Sequence, residues 1–111
     1  MTTTTGLLPV TDDTFDELVL RAGLPVLLEF TASWCPPCRM IEPVLRELAG
    51  ELAGRLVVAQ LDVDANPRTA RDAGVLGMPT LGLYRDGREV ARTTGARPKA
   101  ALLRMLDGHL D

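Results

Sequence analysis

The chain has 111 residues, 46% hydrophobic and 24% charged, enough for one hydrophobic core and unlike the apolar-poor composition of a disordered chain. A formal charge of −3 offers no sequence-wide basic field for nucleic acid, and no apolar run approaches the roughly 20 residues that span a bilayer. Two cysteines and one histidine are too few for a disulfide scaffold or a closed four-ligand zinc site, and a hydrolase triad would have to take its base from His109.

Residues 1–6 read as a flexible tail, with neither the basic start nor the apolar stretch of a signal segment, so a cytoplasmic protein of one domain, 1–111, is expected. Leu7 and Leu8 suit a short edge strand. From Thr11, polar cap candidates, early acids, and Phe15, Leu18, Val19 and Ala22 at helical spacing predict an amphipathic helix over 11–23. Pro25 breaks that period, and 26–30 is an apolar run with one acid, Glu29, as in a strand buried on both faces.

A second helix follows Cys35-Pro36-Pro37-Cys38, with Met40, Ile41, Val44, Leu45, Leu48 and Leu52 at spacings of three and four and Pro43 expected to kink it. Residues 56–61 predict the next buried strand. A short helix is expected after it, capped by Asn66, opened by Pro67 and stopped by Gly74. Asp86-Gly87, a dipeptide suited to a tight hairpin, separates strands at 81–84 and 89–93. Pro98 opens a last helix with Leu102, Leu103, Leu106 and Leu110 along one side. The order β-α-β-α-β-α-β-β-α predicts an α/β mixed sheet of about five strands with helices on both faces.

Cys35 and Cys38 fall at the junction of a buried strand and a helix start. Unpaired backbone N–H groups and the helix dipole stabilise a thiolate there. The N-terminal sulfur, Cys35, becomes the nucleophile, and Cys38 is near enough to attack a mixed disulfide formed on it. A structural disulfide, half of a shared zinc site and a buried inert pair are the competing readings. The first closes too small a loop to restrict the unfolded chain, the second lacks ligands, and Trp34, Pro36 and Pro37 read as a surface loop, against the third. Asp62 and Asp64 are read as a polar exit from a strand, His109 as exposed, and Phe15, Phe30 and Tyr84 as core.

Trp34-Cys35-Pro36-Pro37-Cys38-Arg39-Met40-Ile41, with Met78-Pro79-Thr80 further on and Gly87 and Gly95 beyond, resembles the thioredoxin family from about Val10 to the C-terminus. The resemblance implies a thioredoxin fold and a reversible Cys35/Cys38 dithiol/disulfide couple that reduces disulfide-containing proteins. It also implies no bound cofactor, with electrons from NADPH through a flavin-dependent thioredoxin reductase, and a monomer free of nucleic acid and membrane. By the same resemblance Pro79 is a cis-proline against the disulfide, the competing reading being a trans proline opening a strand. Trp34, Gly77, Met78, Gly95 and Ala96 frame a substrate patch, with an extended segment pairing to the backbone of Met78.

Glu29 falls where the family carries a buried aspartate, and is expected to titrate high and to accept a proton from Cys38 directly or through a water; the bland alternative is an acid reaching solvent. The family's lysine partner is replaced by Gln60, which can hydrogen-bond a carboxyl but not neutralise it. Pro36-Pro37 stands for the usual Gly-Pro and Thr31 for a tryptophan, so Pro36, Pro37 and Gln60 are read as tuning residues. Pro36 removes a donor near the Cys35 sulfur but stiffens the helix start, leaving the net effect open. An oxidase or isomerase tuned by Pro36, and a protein-binding module with dispensable cysteines, are the alternative functions.

Overall fold

Beyond Pro25 the chain enters strand β2, Val26–Thr31, every residue of which is buried. The computed structural model describes residues 6–110, so the first five residues of the expected tail lie outside the described residues. Gly6, the sixth, is backed against α1: its φ is +87° and an added Cβ would stand 2.7 Å from that of Ala49. The other strands are β1 (Leu7–Pro9), β3 (Val57–Asp62), β4 (Thr80–Arg85) and β5 (Arg88–Thr94), and the helices are α1 (Pro36–Glu51), α2 (Pro67–Asp72) and α3 (Lys99–Leu106). Sheet order is β1-β3-β2-β4-β5, with β1, β3 and β2 parallel and the β4/β5 hairpin antiparallel.

Side chains of a strand alternate between faces, and the core divides accordingly. Leu27, Leu81 and Leu83 meet Ile41, Leu45 and Leu48 of α1 and Leu102 and Leu106 of α3 on one face. Val26, Leu28 and Phe30 meet Val19 and Ala70, from the segment before β2 and from α2, on the other. Each fully buried Val, Leu, Ile or Phe side chain contributes about 1.5–3 kcal/mol, which holds the helices to both faces of the mixed sheet. The alternation puts Glu29 on the face of Leu27, under α1. At the hairpin, Asp86 and Gly87 both take positive φ, 56° and 84°, as the turn between right-twisted strands requires.

Two local expectations give way. The helix over 11–23 shrinks to a π-helical segment, Asp16–Leu20, in which the N–H of Arg21 reaches back to the carbonyl of Asp16 at 2.9 Å. Ahead of it, the Thr11 and Thr14 N–H groups each donate to the other's hydroxyl, at 2.9 and 3.2 Å, a reciprocal cap, and the N–H of Phe15 donates to the carbonyl of Thr11 at 2.9 Å. Asn66 sits at the N-cap of α2 without capping it, because its Oδ1 accepts from the N–H of Asp12 at 2.9 Å. The cap comes from Asp12, whose Oδ1 and Oδ2 accept from the N–H groups of Thr69 (2.8 Å) and Arg68 (3.3 Å). Hydrogen bonding from Thr69, its side chain first and then its backbone, with the Arg68 backbone adding, holds the Asp12 carboxyl below the usual carboxylate range. In α3, Leu102 and Leu106 are buried whereas Leu103 faces solvent. α1 continues through Pro43 as one element.

Candidate active site

Cys35 is the N-cap of α1 in an extended conformation, φ −108° and ψ 99°, the region into which a following proline pushes a residue. Pro36 and Pro37 occupy the first two helical positions, where an N–H would have no intrahelical partner. The N–H of Cys38 is therefore the first amide of the helix, and it donates to Cys35 Sγ at 3.2 Å. Neither opposing effect of Pro36 is cancelled: its own donor is absent, and the remaining one is aimed at the sulfur.

Cys35 and Cys38 form a disulfide with 5.3 Å between their Cα atoms. Cys35 is 4% exposed and Cys38 fully buried, packed with Ala32 and against Val63 and Met78. Around this covered pair the surface is apolar and open: Trp34 is 62% and Met40 70% exposed, and Pro36 and Pro37 are also exposed. The indole Nε1–H of Trp34 donates to Asp64 Oδ2 at 2.7 Å, and the N–H of Asp64 donates to Asp62 Oδ1 at 2.9 Å. The strand-exit pair is thus a brace for Trp34. No group of three or more metal-ligating side chains occurs among the described residues.

The Met78–Pro79 peptide is cis, and Pro79 is buried. Its carbonyl accepts from the N–H of Gly95 at 2.8 Å, which ties the loop after β5 to the loop before β4. Gly77 lies beside Thr94, and Gly95, at φ +96°, has open space where a Cβ would stand. Ala96 is exposed just beyond. Met78, Pro79 and Gly95 therefore lie together, with Met78 as the member that packs on the cysteine cluster. His109, expected to be exposed, is half-buried, and its backbone carbonyl accepts from Arg85 Nη1 at 2.6 Å.

Glu29 is wholly buried. Its Oε1 accepts from Gln60 Nε2 at 2.9 Å, the residue opposite it in the β2/β3 register, and Oε2 has no partner among the described residues. Burial pushes its pKa to about 7. The Gln60 hydrogen bond opposes that rise, the Glu42 charge adds to it, and Arg39 and Arg46 oppose it. Gln60 Nε2 also donates to Glu42 Oε2 at 2.9 Å. Arg39 Nη2 donates to Thr31 Oγ1 at 2.8 Å and pairs with Glu42 Oε2 at 2.9 Å, so a guanidinium lies over the end of β2. A groove of about 360 Å³ opens there, between Thr31, Ser33, Arg39, Gln60 and Asp62.

Glu42 goes unnamed among the sequence expectations, Arg39 stands there only as part of the motif, and Asp64 only as a polar strand exit. Glu42 carried a usable signal: it is the acid in the helical stripe of Cys38, Ile41, Leu45 and Leu48, one turn beyond Cys38. Asp64 carried none, because its partner is 30 residues away. No helix among the described residues is long and apolar enough to cross a membrane.

The family model described as Thioredoxin matches residues 6–108. A thioredoxin of Mycolicibacterium smegmatis is 52% identical over 103 residues, covering 91% of this chain and 92% of that protein. A thioredoxin of Mycobacterium tuberculosis is 55% identical over 97 residues, covering 87% of this chain and 84% of that protein. A Mycobacterium leprae protein named bifunctional thioredoxin reductase/thioredoxin is 50% identical over 97 residues, which are 87% of this chain and 21% of that protein.

Proposed function

The chain belongs to the thioredoxin family and is a protein-disulfide reductase with a redox-active cysteine pair, and from that premise we propose that Cys35 attacks, Cys38 resolves and Glu29 takes the proton of Cys38. In the reduced protein the Cys35 thiolate attacks one sulfur of a substrate disulfide. A Cys35–substrate disulfide forms, and the other substrate sulfur leaves as a thiolate and takes a proton from water. Cys38 then gives its proton to the Glu29 carboxylate and attacks Cys35 Sγ. The Cys35–Cys38 bond forms, the mixed disulfide breaks, and the second substrate sulfur departs. Two electrons pass from the dithiol to the substrate, leaving the disulfide in which the pair is found.

The observation that carries this reading is the placement of the pair at the start of α1, with the Cys38 N–H on Cys35 Sγ. The same donor stabilises a thiolate at Cys35. Burial of Cys38 suits a thiol that meets an intermediate already attached to Cys35 and not a free substrate. Substrate docks as an extended segment along the backbone of Met78, over Pro79 and between Trp34, Gly77, Gly95 and Ala96. The bond between Gly95 and Pro79 supports that framing by holding both loops together. Pro36 and Pro37 tune the couple by leaving Cys38 as the helix's first N–H donor, and Gln60 tunes Glu29.

The protein works as a one-domain monomer in the cytoplasm, where a dithiol reductant is chemically at home. Its electrons come from NADPH through a flavin-dependent thioredoxin reductase, with no cofactor bound to the chain itself. The name of the fused relative supports a reductase partner. The test couples the purified protein to NADPH and a thioredoxin reductase and follows reduction of a model protein disulfide. NADPH consumption that depends on this chain and stops with Cys35→Ser is the expected result. No consumption, with the dithiol still titratable, would refute the proposed electron source.

A further inference from the structure

Glu42 takes no part in the exchange steps themselves, yet it stands on α1 one helical turn beyond Cys38 with a side chain only 18% exposed. Its Oε2 accepts from Gln60 Nε2 and pairs with Arg39 Nη2, both at 2.9 Å, and its Oε1 lies 3.9 Å from Arg46 Nη2. The same Gln60 nitrogen donates to Glu29 Oε1 at 2.9 Å. A side-chain amide carries two N–H donors on that nitrogen, and here both are directed at carboxylates. A carboxylate held by two arginines only accepts, so turning the Gln60 amide over would set its oxygen against Glu42. Two acceptors set against each other, partly out of reach of water, are unfavourable. Glu42 therefore selects the amide orientation that presents a donor to Glu29.

That choice has a chemical result at Glu29. With an N–H on Oε1 whether the carboxyl is ionised or not, the proton that comes and goes resides on Oε2, the buried oxygen without a partner among the described residues. We propose that Glu42 is a positioning residue: through the Gln60 amide it fixes Glu29 so that Oε2 is the oxygen that exchanges the proton of the resolving step. The inference rests on the reading of Glu29 as proton acceptor. The groove at Thr31, Arg39 and Gln60 puts the solvent side of this bridge within reach of water.

The test uses the oxidised protein, in which neither cysteine titrates. The charged groups bearing on Glu29 are then Glu42, Arg39 and Arg46, all on α1, with Gln60 on β3 and the apolar Leu81 of β4 on its other side. Removing the Glu42 charge lowers the Glu29 midpoint, and releasing the Gln60 donor raises it. The titration of the Glu29 carboxyl carbon is followed by NMR for Glu42→Ala in the parent and in Gln60→Met, which keeps the volume and removes the amide. The downward shift is expected to be larger in Gln60→Met than in the parent, by about half a pH unit, a threefold change in proton affinity. Equal shifts in both backgrounds would mean that Glu42 acts by charge alone and overturn the proposal.

Relaxation of the Gln60 side-chain ¹⁵N needs only the single variant. A loss of amide order in Glu42→Ala supports the clamp, and unchanged order overturns it. Failure of the underlying reading is separable. If Glu29→Gln resolved mixed disulfides at the parent rate across pH 6 to 9, Glu29 would lose its role while the Gln60 measurement stood.

Discussion

Replacing Glu29 by glutamine turns a buried carboxyl that ionises at about pH 7 into a neutral amide of the same length. The folded-state pKa is raised from the ordinary 4.5, so the unfolded chain releases this proton first as pH increases. Between pH 4.5 and about 7 the unfolded state binds fewer protons than the folded state, and folding stability falls as pH rises through that window. At 1.36 kcal/mol per pH unit, the gap corresponds to about 3 kcal/mol, nearly all of it lost by pH 8. Against a total of about 5–15 kcal/mol for a domain, that is a large fraction. In Glu29→Gln this loss is absent, while Gln60 retains an oxygen to which it can donate. Urea unfolding of the oxidised forms at pH 4, 5.5, 7 and 8, with m compared at each pH, measures the difference. The variant is expected to gain about 3 kcal/mol relative to the parent between pH 4 and pH 8. Stability profiles that run parallel over this range would refute the claim that burial holds Glu29 protonated near neutrality.

Cys38→Ser keeps the attacking sulfur and removes the resolving one, so disulfide-linked complexes with substrate proteins accumulate and are released by excess dithiothreitol. Their absence from non-reducing gels would refute the assignment. Asp64→Ala removes the acceptor of the Trp34 indole; because this is the chain's one tryptophan, its fluorescence anisotropy is expected to fall while stability changes by about 1 kcal/mol or less. An unchanged anisotropy would show that packing and not Asp64 braces the ring. Asp12→Ala uncaps α2, and since the Asp12 pKa is lowered from 3.8, its stabilisation is present above that pH and fades as pH drops below it. The variant is expected to be less stable at neutral pH and to converge on the parent in acid, as read by thermal unfolding.

Much of the architecture was legible in the chain itself. The all-apolar run of β2 around Glu29, the hairpin at Asp86-Gly87 and the Cys-Pro-Pro-Cys helix start each depend on preferences among residues a few positions apart. Buried parallel strands need apolar side chains on both faces, a tight hairpin turn needs positive φ, and proline fits a helix's first positions. Such signals survive without knowledge of the partner surface. They located the cysteines at the head of α1 and Glu29 inside the buried strand before it, while the place of Glu29 beneath the pair was implied only by the resemblance.

Where local preferences competed, they misled. Thr11 and Thr14 cap the segment they open, but the ladder behind them reaches back five residues, from Arg21 to Asp16, and the element ends at Leu20. Asn66 suited an N-cap, but its side chain was taken by Asp12, which supplied the cap from 57 residues before Thr69. The amide of Gln60 bridges carboxylates 31 and 18 residues distant, and Trp34 finds its acceptor 30 residues on. The strands and later helices, their order and the position of the reactive pair can be read along the chain, because they follow from short-range backbone and periodicity constraints. The wiring of Glu29 through Gln60 to Glu42, and of Trp34 to Asp64, was decided only when the sheet and α1 packed, since a buried polar atom takes whichever partner the tertiary fold brings within hydrogen-bond reach.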